Sequence, residues 1–188
     1  MAAGDVLPEV GYAFTAGPFN PTNSTAVHVH HREEMNSLYE CAVILAVPLA
    51  LAPEAAVSAP ATLDLTRDSL QRYVQGIVRR VEDVGVAGRH RFVRLFVVPN
   101  LWTLSQRMDS RIYQDKKTVE IVLDVLERAG IYQGSQAVDG GLFSPAPREY
   151  CVQHHETDLA FVMRLLEDEG VPFDFRHEGG GSDTMVLC

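Results

Sequence analysis

REYCVQHHETDLAFVMRLLEDEGVPFDF, from Arg148 to Phe175, reads as strand, helix, strand. Tyr150, Val152 and His154 alternate with Glu149, Cys151 and Gln153, the period of a half-buried strand. From Thr157 the period changes: Leu159, Val162, Met163 and Leu166 recur at helical spacing, and Phe161 and Leu165 widen the stripe. Thr157 suits the N-cap, where its hydroxyl accepts from an orphan amide, and Asp158 places negative charge at the positive helix end. Gly170 is placed to end the helix in the left-handed conformation. Val171, Phe173 and Phe175 then alternate with Pro172, Asp174 and Arg176 as a second half-buried strand. A stripe of this width is what packing against a sheet requires, so it reads as core.

Upstream, residues 1–23 are rich in Gly, Pro, Asn and Thr without a period and read as a flexible lead-in. Strands are expected at Ala26–Arg32, at Leu38–Val47 (apolar enough to be buried on both faces) and at Ala61–Thr66. Pro48, Pro53 and Pro60 make the intervening segment a loop or a poor helix. Arg72–Gly85 and Arg89–Pro99 form a β-hairpin that turns at Gly85–Gly88, and Gly76 marks a possible bulge. Five strands with short turns suggest a small antiparallel barrel over 24–99. Residues 100–147 read as a linker that carries Trp102 as a packing anchor and a helix at 118–129. That helix shows Val119, Val122, Leu123 and Leu126 on one face and closes at Gly130.

The order of residues says more than their period. REYCVQ, then ETDLAFVMRLLEDEG, then FDF with a following His-Glu resembles the signature of the VgrG family, trimeric spike-tip proteins of the type VI secretion system related to phage tail hubs. His154 and His155 replace the family's usual Tyr-Arg pair, and Pro172 stands where an apolar residue is usual. Met35, Ser37, Leu38 and Tyr39 match an early motif, and Gly76, Ile77, Val78 and Val81 match a later one. Pro99, Leu101, Trp102, Leu104, Arg107 and the run Ser110–Gln114 match a third. The likeness covers about residues 24–187.

It implies an α+β, mainly β chain: a phage-tail-hub-like antiparallel β-barrel, an α/β segment, and at 148–188 the start of a second, incomplete barrel. It also implies a homotrimer seated on a tail-tube (Hcp-like) protein, with baseplate and effector proteins as further partners. Such a chain is a structural protein and not an enzyme, made in the bacterial cytoplasm and exported with the spike. A truncated or split remnant without puncturing function is the alternative.

The composition fits a globular chain: 46% hydrophobic and 22% charged, with net charge -9. No apolar run is long enough to cross a bilayer, and stable membrane association is not expected. Cys41, Cys151 and Cys188 are widely spaced and fit neither a disulfide framework nor a zinc knuckle. Residues 67–117 carry 11 basic against 5 acidic side chains, but these alternate with apolar residues along expected strands. A solvated sheet face is therefore favoured over nucleic-acid binding.

Chemistry is sparse. His28 and His30 share one face of a strand and could reach one metal ion, but His31 faces away and a third ligand must come from elsewhere. In His154–His155–Glu156 adjacent imidazoles are expected on opposite sides of a strand. No nucleophile elbow, phosphate-binding loop or dinucleotide fingerprint is present, and GGGS at 179–182 reads as a hairpin turn. No catalytic residue and no cofactor is expected, and the metal reading of His28 and His30 is the minor one.

Overall fold

The structure is a computed structural model that describes residues 10–132, 137–139, 146–179 and 181–187. The chain divides into two compact units. The first takes residues up to His31, Glu40–Val97 and His177–Gly181; the second takes Arg32–Tyr39, Val98–Arg176 and Ser182–Cys188.

The first unit is built on β1 (Val10–Ala16), β2 (Thr25–Arg32), β3 (Glu40–Pro48), β4 (Pro60–Arg67), β5 (Leu70–Ala87) and β6 (His90–Val98). They form one curled sheet in the order β1-β4-β5-β6-β3-β2. The β1–β4, β4–β5 and β3–β6 pairs are antiparallel. Its core follows from alternation: Cys41, Val43, Leu45 and Val47 of β3 point inward, opposite a β6 that buries Val93, Leu95 and Val97. Each fully buried aliphatic side chain of this kind contributes about 2 kcal/mol. Burial also pushes the Cys41 thiol up to about 12, so it packs as a small apolar side chain. The other face of β3 is only half-buried, so this strand is not covered on both sides as its composition suggests.

The expected five-stranded barrel over 24–99 is corrected to six strands that begin at Val10. The expected lead-in supplies β1, which pairs with β4 from Val10↔Arg67 to Ala16↔Ala61 and buries Phe14 and Ala16, with Phe19 buried just after it. Residues 1–9 lie outside the described part. Gly17 has φ 54, and a Cβ there would lie 2.9 Å from the Ala56 Cα, against the short 3-10 turn Pro53–Ala56. The glycine that disguised β1 is thus what lets the chain turn beside that segment. Tyr12 of β1 and Ala26–Val29 of β2 line one recess of about 210 Å³. The two edge strands therefore approach each other without pairing, and the barrel stays open at that seam. Gly76 pairs with Ala61 in unbroken register, so the expected bulge is absent. The hairpin is longer than expected, with β5 running to Ala87 and the turn at Gly88 and Arg89.

The second unit contains β7 (Met108–Lys116), α1 (Thr118–Ala129), β8 (Ala137–Asp139), β9 (Arg148–Thr157), α2 (Asp158–Glu169), β10 (Phe173–His177) and β11 (Asp183–Leu187). β7 and β9 form an antiparallel ribbon; β10, β11 and β8 form a small sheet in which β11 and β8 run parallel. The ends of α2 are as expected: the Thr157 hydroxyl accepts from the Ala160 amide at 3.1 Å, and Gly170 closes the helix at φ 64. Its buried face is Phe161, Val162, Leu165 and Leu166. α1 buries Val119, Ile121, Val122, Val125 and Leu126, while Leu123, expected inside, is half-buried.

Residues 100–147 are therefore not a linker. They open with a 3-10 helix, Asn100–Gln106, whose buried anchors are Leu101 and Leu104 rather than the half-buried Trp102. They continue into β7 and α1 of the compact second unit. GGGS lies between the paired strands β10 and β11 as expected, with Gly180 outside the described residues. Among the described residues no helix is long and apolar enough to cross a membrane.

The close approach at Gly17 makes a direct prediction. Gly17→Val should destabilise the protein by about 2 kcal/mol or more, through strain and the clash with Ala56. The urea midpoint reads this; an unchanged midpoint would mean that β1 is not held against Ala56.

Candidate functional site

The ribbon faces two ways. Inward, Tyr113, Cys151 and Gln153 are buried, and Tyr113 stacks on Phe161 of α2 with ring centroids 5.8 Å apart. Outward lie Ile112 (61% exposed) and Val152 (36%), directly opposite each other, with Tyr150 (56%) beside them facing Gln114 and Met108 (68%) further along β7. The apolar set of β9 is thus on the outside and its polar Gln153 inside, although alternation alone would suggest the reverse.

The cause is a buried polar network. Gln153 Nε2 donates to Asp158 Oδ1 at 2.8 Å, and Asp158, only 1% exposed, is also reached by Arg107 Nε at 3.3 Å. The Asp158 amide donates to the Arg107 carbonyl at 2.9 Å. Asp158 therefore binds β9, the first turn of α2 and the segment before β7 together, beyond its expected role as a charge at the helix start. At the edge of β9, Arg164 donates to the Val152 carbonyl at 3.2 Å and to Glu156 at 2.6 Å.

A second anchor is Asp183, fully buried at the start of β11. Its carboxylate accepts from the Tyr132 hydroxyl, from Asn100 Nδ2 at 2.6 Å and from the Asn100 amide at 3.3 Å. Tyr132 in turn accepts from the Leu101 amide at 3.0 Å. These bonds satisfy the first amides of the 3-10 helix and tie it to β11. Burial pushes the Asp183 carboxyl above the usual carboxylate range, with the hydrogen bonds from Tyr132 and Asn100 opposing the shift. Burial, reinforced by the Asp183 charge, raises Tyr132 well above an ordinary phenol. No motif pointed to this cluster; the one visible signal was a lone Asp opening an apolar run, Asp183 before Met185, Val186 and Leu187.

The histidines fare unevenly. His28 and His30 are both exposed on β2, as their spacing suggests. Among the described residues, however, no group of three or more His, Cys, Asp or Glu side chains is placed to hold a metal. His154 and His155 do not point apart. His155 has φ 47 where the β7–β9 register shifts, and the two rings lie 4.6 Å apart at 72°. The basic stretch is engaged locally: Arg79 pairs with Glu40 at 2.6 Å, Arg91 with Asp83 at 3.5 Å and Arg94 with Glu82 at 3.4 Å. Arg80 lies 4.0 Å over the Phe96 ring.

Among the described residues, the chain thus presents an open curled sheet and a helix-backed ribbon with an exposed apolar face. The fold resembles that of an E. coli protein described as a component of the type VI secretion system with structural similarity to the T4 bacteriophage tail proteins gp27 and gp5. The match has TM-score 0.74 and 20% identity and covers 98% of this chain and 47% of that one. The prophage MuSo2 tail protein from Shewanella oneidensis matches at TM-score 0.64 and 13% identity, over 95% and 53% of the two chains. The chain belongs to the phage tail baseplate hub (GPD) family, whose model matches residues 32–188.

It is similar to the type VI secretion system spike protein VgrG1c of Pseudomonas aeruginosa, 33% identical over 86% of this chain and 22% of that protein. It is also similar to the actin cross-linking toxin VgrG1 of Vibrio cholerae, 38% identical over 69% of this chain and 12% of that protein. The chain thus spans less than a quarter of the length of these curated relatives.

The Asp183 cluster predicts a pH dependence. A carboxyl raised on folding means that the folded state binds more protons than the unfolded state between the ordinary carboxylate pKa and the raised one. Stability of the native protein relative to an Asp183→Asn variant should therefore fall as pH rises through that window and level off above it. Parallel urea titrations from about pH 3.5 to pH 8 read the difference, and a native-minus-variant stability that rises with pH would contradict the burial of Asp183.

Proposed function

We propose that this chain is the hub portion of a type VI secretion spike: β structure that associates as a homotrimer on the tail-tube (Hcp-like) protein, beside baseplate and effector proteins. The observation that carries this reading is the fold match at TM-score 0.74 over 98% of the chain. Family membership over residues 32–188 supports it. In this reading the chain works mechanically. A rigid base transmits the push of a contracting sheath, no residue is catalytic, and neither nucleic acid nor a membrane is a stable partner. The protein is made in the bacterial cytoplasm and leaves it with the spike. The sheet β10-β11-β8 is the start of the second hub barrel.

The test is the solution mass of the purified chain, alone and mixed with the tail-tube protein of the same bacterium, by light scattering after size exclusion. Three copies of the 20.8 kDa chain, co-eluting with the tube protein, are expected. A chain that neither self-associates nor binds the tube protein would contradict the hub reading.

A further inference from the structure

We propose that His177 is a pH-sensitive latch: its neutral imidazole holds the tip between β10 and β11 on a free edge of β5, and protonation of the ring releases the tip. The latch is independent of the hub reading and stands or falls on its own test.

The free edge follows from strand lengths. β5 has 18 residues and β6, which follows it after a short turn, has 9, so β6 cannot reach the first half of β5. β4 covers one side of that half, from Pro60↔Ile77 to Arg67↔Leu70, and no strand pairs with the other side. That side is met instead by His177–Gly181, which pack within the first unit. The Gln75 amide donates to His177 Nδ1 at 3.1 Å, and Gln75 Nε2 donates to the Gly181 carbonyl at 2.6 Å. Gly179 lies against the Tyr73 ring, where a Cβ would come within 2.5 Å of it.

An imidazole nitrogen that accepts a hydrogen bond carries no proton, so here Nδ1 is bare and the neutral ring holds its proton at Nε2. Protonation turns Nδ1 into a donor aimed at another donor. Gln75 is fully buried, and a buried amide does not remain unpaired, so the tip must move before water can take the place of the imidazole. Its movement also ends the Gly181 bond and the Gly179 contact. Histidine is the side chain whose ordinary titration falls between about pH 5 and pH 8. The other ionisable groups around the contact are of different kinds. On the same face of β4 and β5 lie Asp64, which accepts from Gln71 at 2.8 Å, Tyr73, and Arg79, which pairs with Glu40 at 2.6 Å. Beside His177 on the hairpin are Arg176 and Glu178. No second imidazole is among them.

The test is amide hydrogen exchange of the full chain at about pH 5 and pH 8, read residue by residue by NMR and normalised for the intrinsic exchange rate. Three proteins are compared: the native chain, His177→Gln and His177→Ala. Glutamine offers a carbonyl oxygen to the Gln75 amide and has no charge to gain, whereas alanine offers no acceptor. In the native chain, protection of the Gln75 amide is expected to fall about tenfold or more from the higher pH to the lower, the size of one ordinary hydrogen bond. In both variants the difference between the two pH values should vanish, with protection high in His177→Gln and low in His177→Ala. The Val43 and Leu45 amides of β3, far into the core of the sheet, should stay protected throughout. Native protection of Gln75 that is equal at both pH values would overturn the latch. So would a pH dependence that persists in either variant, since another group would then be responsible. A fall shared by Val43 and Leu45 would be general unfolding and would equally overturn a local release.

Discussion

The hydrogen bond from Gln153 to Asp158 is the constraint on which the second unit depends. Strand β9 has two faces of nearly equal claim to the interior, one offering Tyr150 and Val152 and the other Cys151 and Gln153. Hydrophobicity alone would bury the first. An acidic side chain enclosed at the start of α2, however, requires partners, and leaving a buried polar group unsatisfied costs about 1–3 kcal/mol. Gln153 and Arg107 supply those partners only if β9 turns its Gln153 face inward. Because side chains alternate strictly along a strand, that single requirement sends Tyr150 and Val152 outward. An apolar surface on this ribbon is therefore a consequence of polar chemistry beneath it.

The two units solve the burial problem differently. In the first, alternation along β3, β4, β5 and β6 builds an aliphatic core, and its buried thiol, Cys41, behaves as another apolar group. In the second, the aliphatic faces of α1 and α2 supply the bulk, while buried carboxylates at Asp158 and Asp183 set register and tie irregular segments to regular ones. A carboxyl raised by burial, as Asp183 is, adds little net stability, but its hydrogen-bond requirements leave few alternative arrangements.

Much of this was legible in the sequence, and what was missed has physical causes. Elements specified by their own neighbours were readable: α2 between Thr157 and Gly170, α1 up to Gly130, and the β5–β6 hairpin. Family resemblance was readable because its motifs run in order from Met35 to Phe175, and the family model confirms it over residues 32–188. β1 was hidden by glycines and prolines, one of which, Gly17, is required by close packing against Ala56. β7 was hidden because only Met108, Ile112 and Tyr113 break its polar run, and of these only Tyr113 is buried. The direction of β9 was beyond reach, since a period of two says that a strand has two faces and not which one is inside. The histidine pair was misjudged for a related reason: the bulge at His155 breaks the alternation on which the reading relied.

The central claim, that the ribbon turns an apolar face outward, can be read by hydroxyl-radical footprinting of the dilute protein. Tyr150 and Met108 should be labelled strongly, while Tyr113, packed on Phe161, should be protected. Protection of Tyr150 in the dilute protein would mean that the ribbon faces the other way.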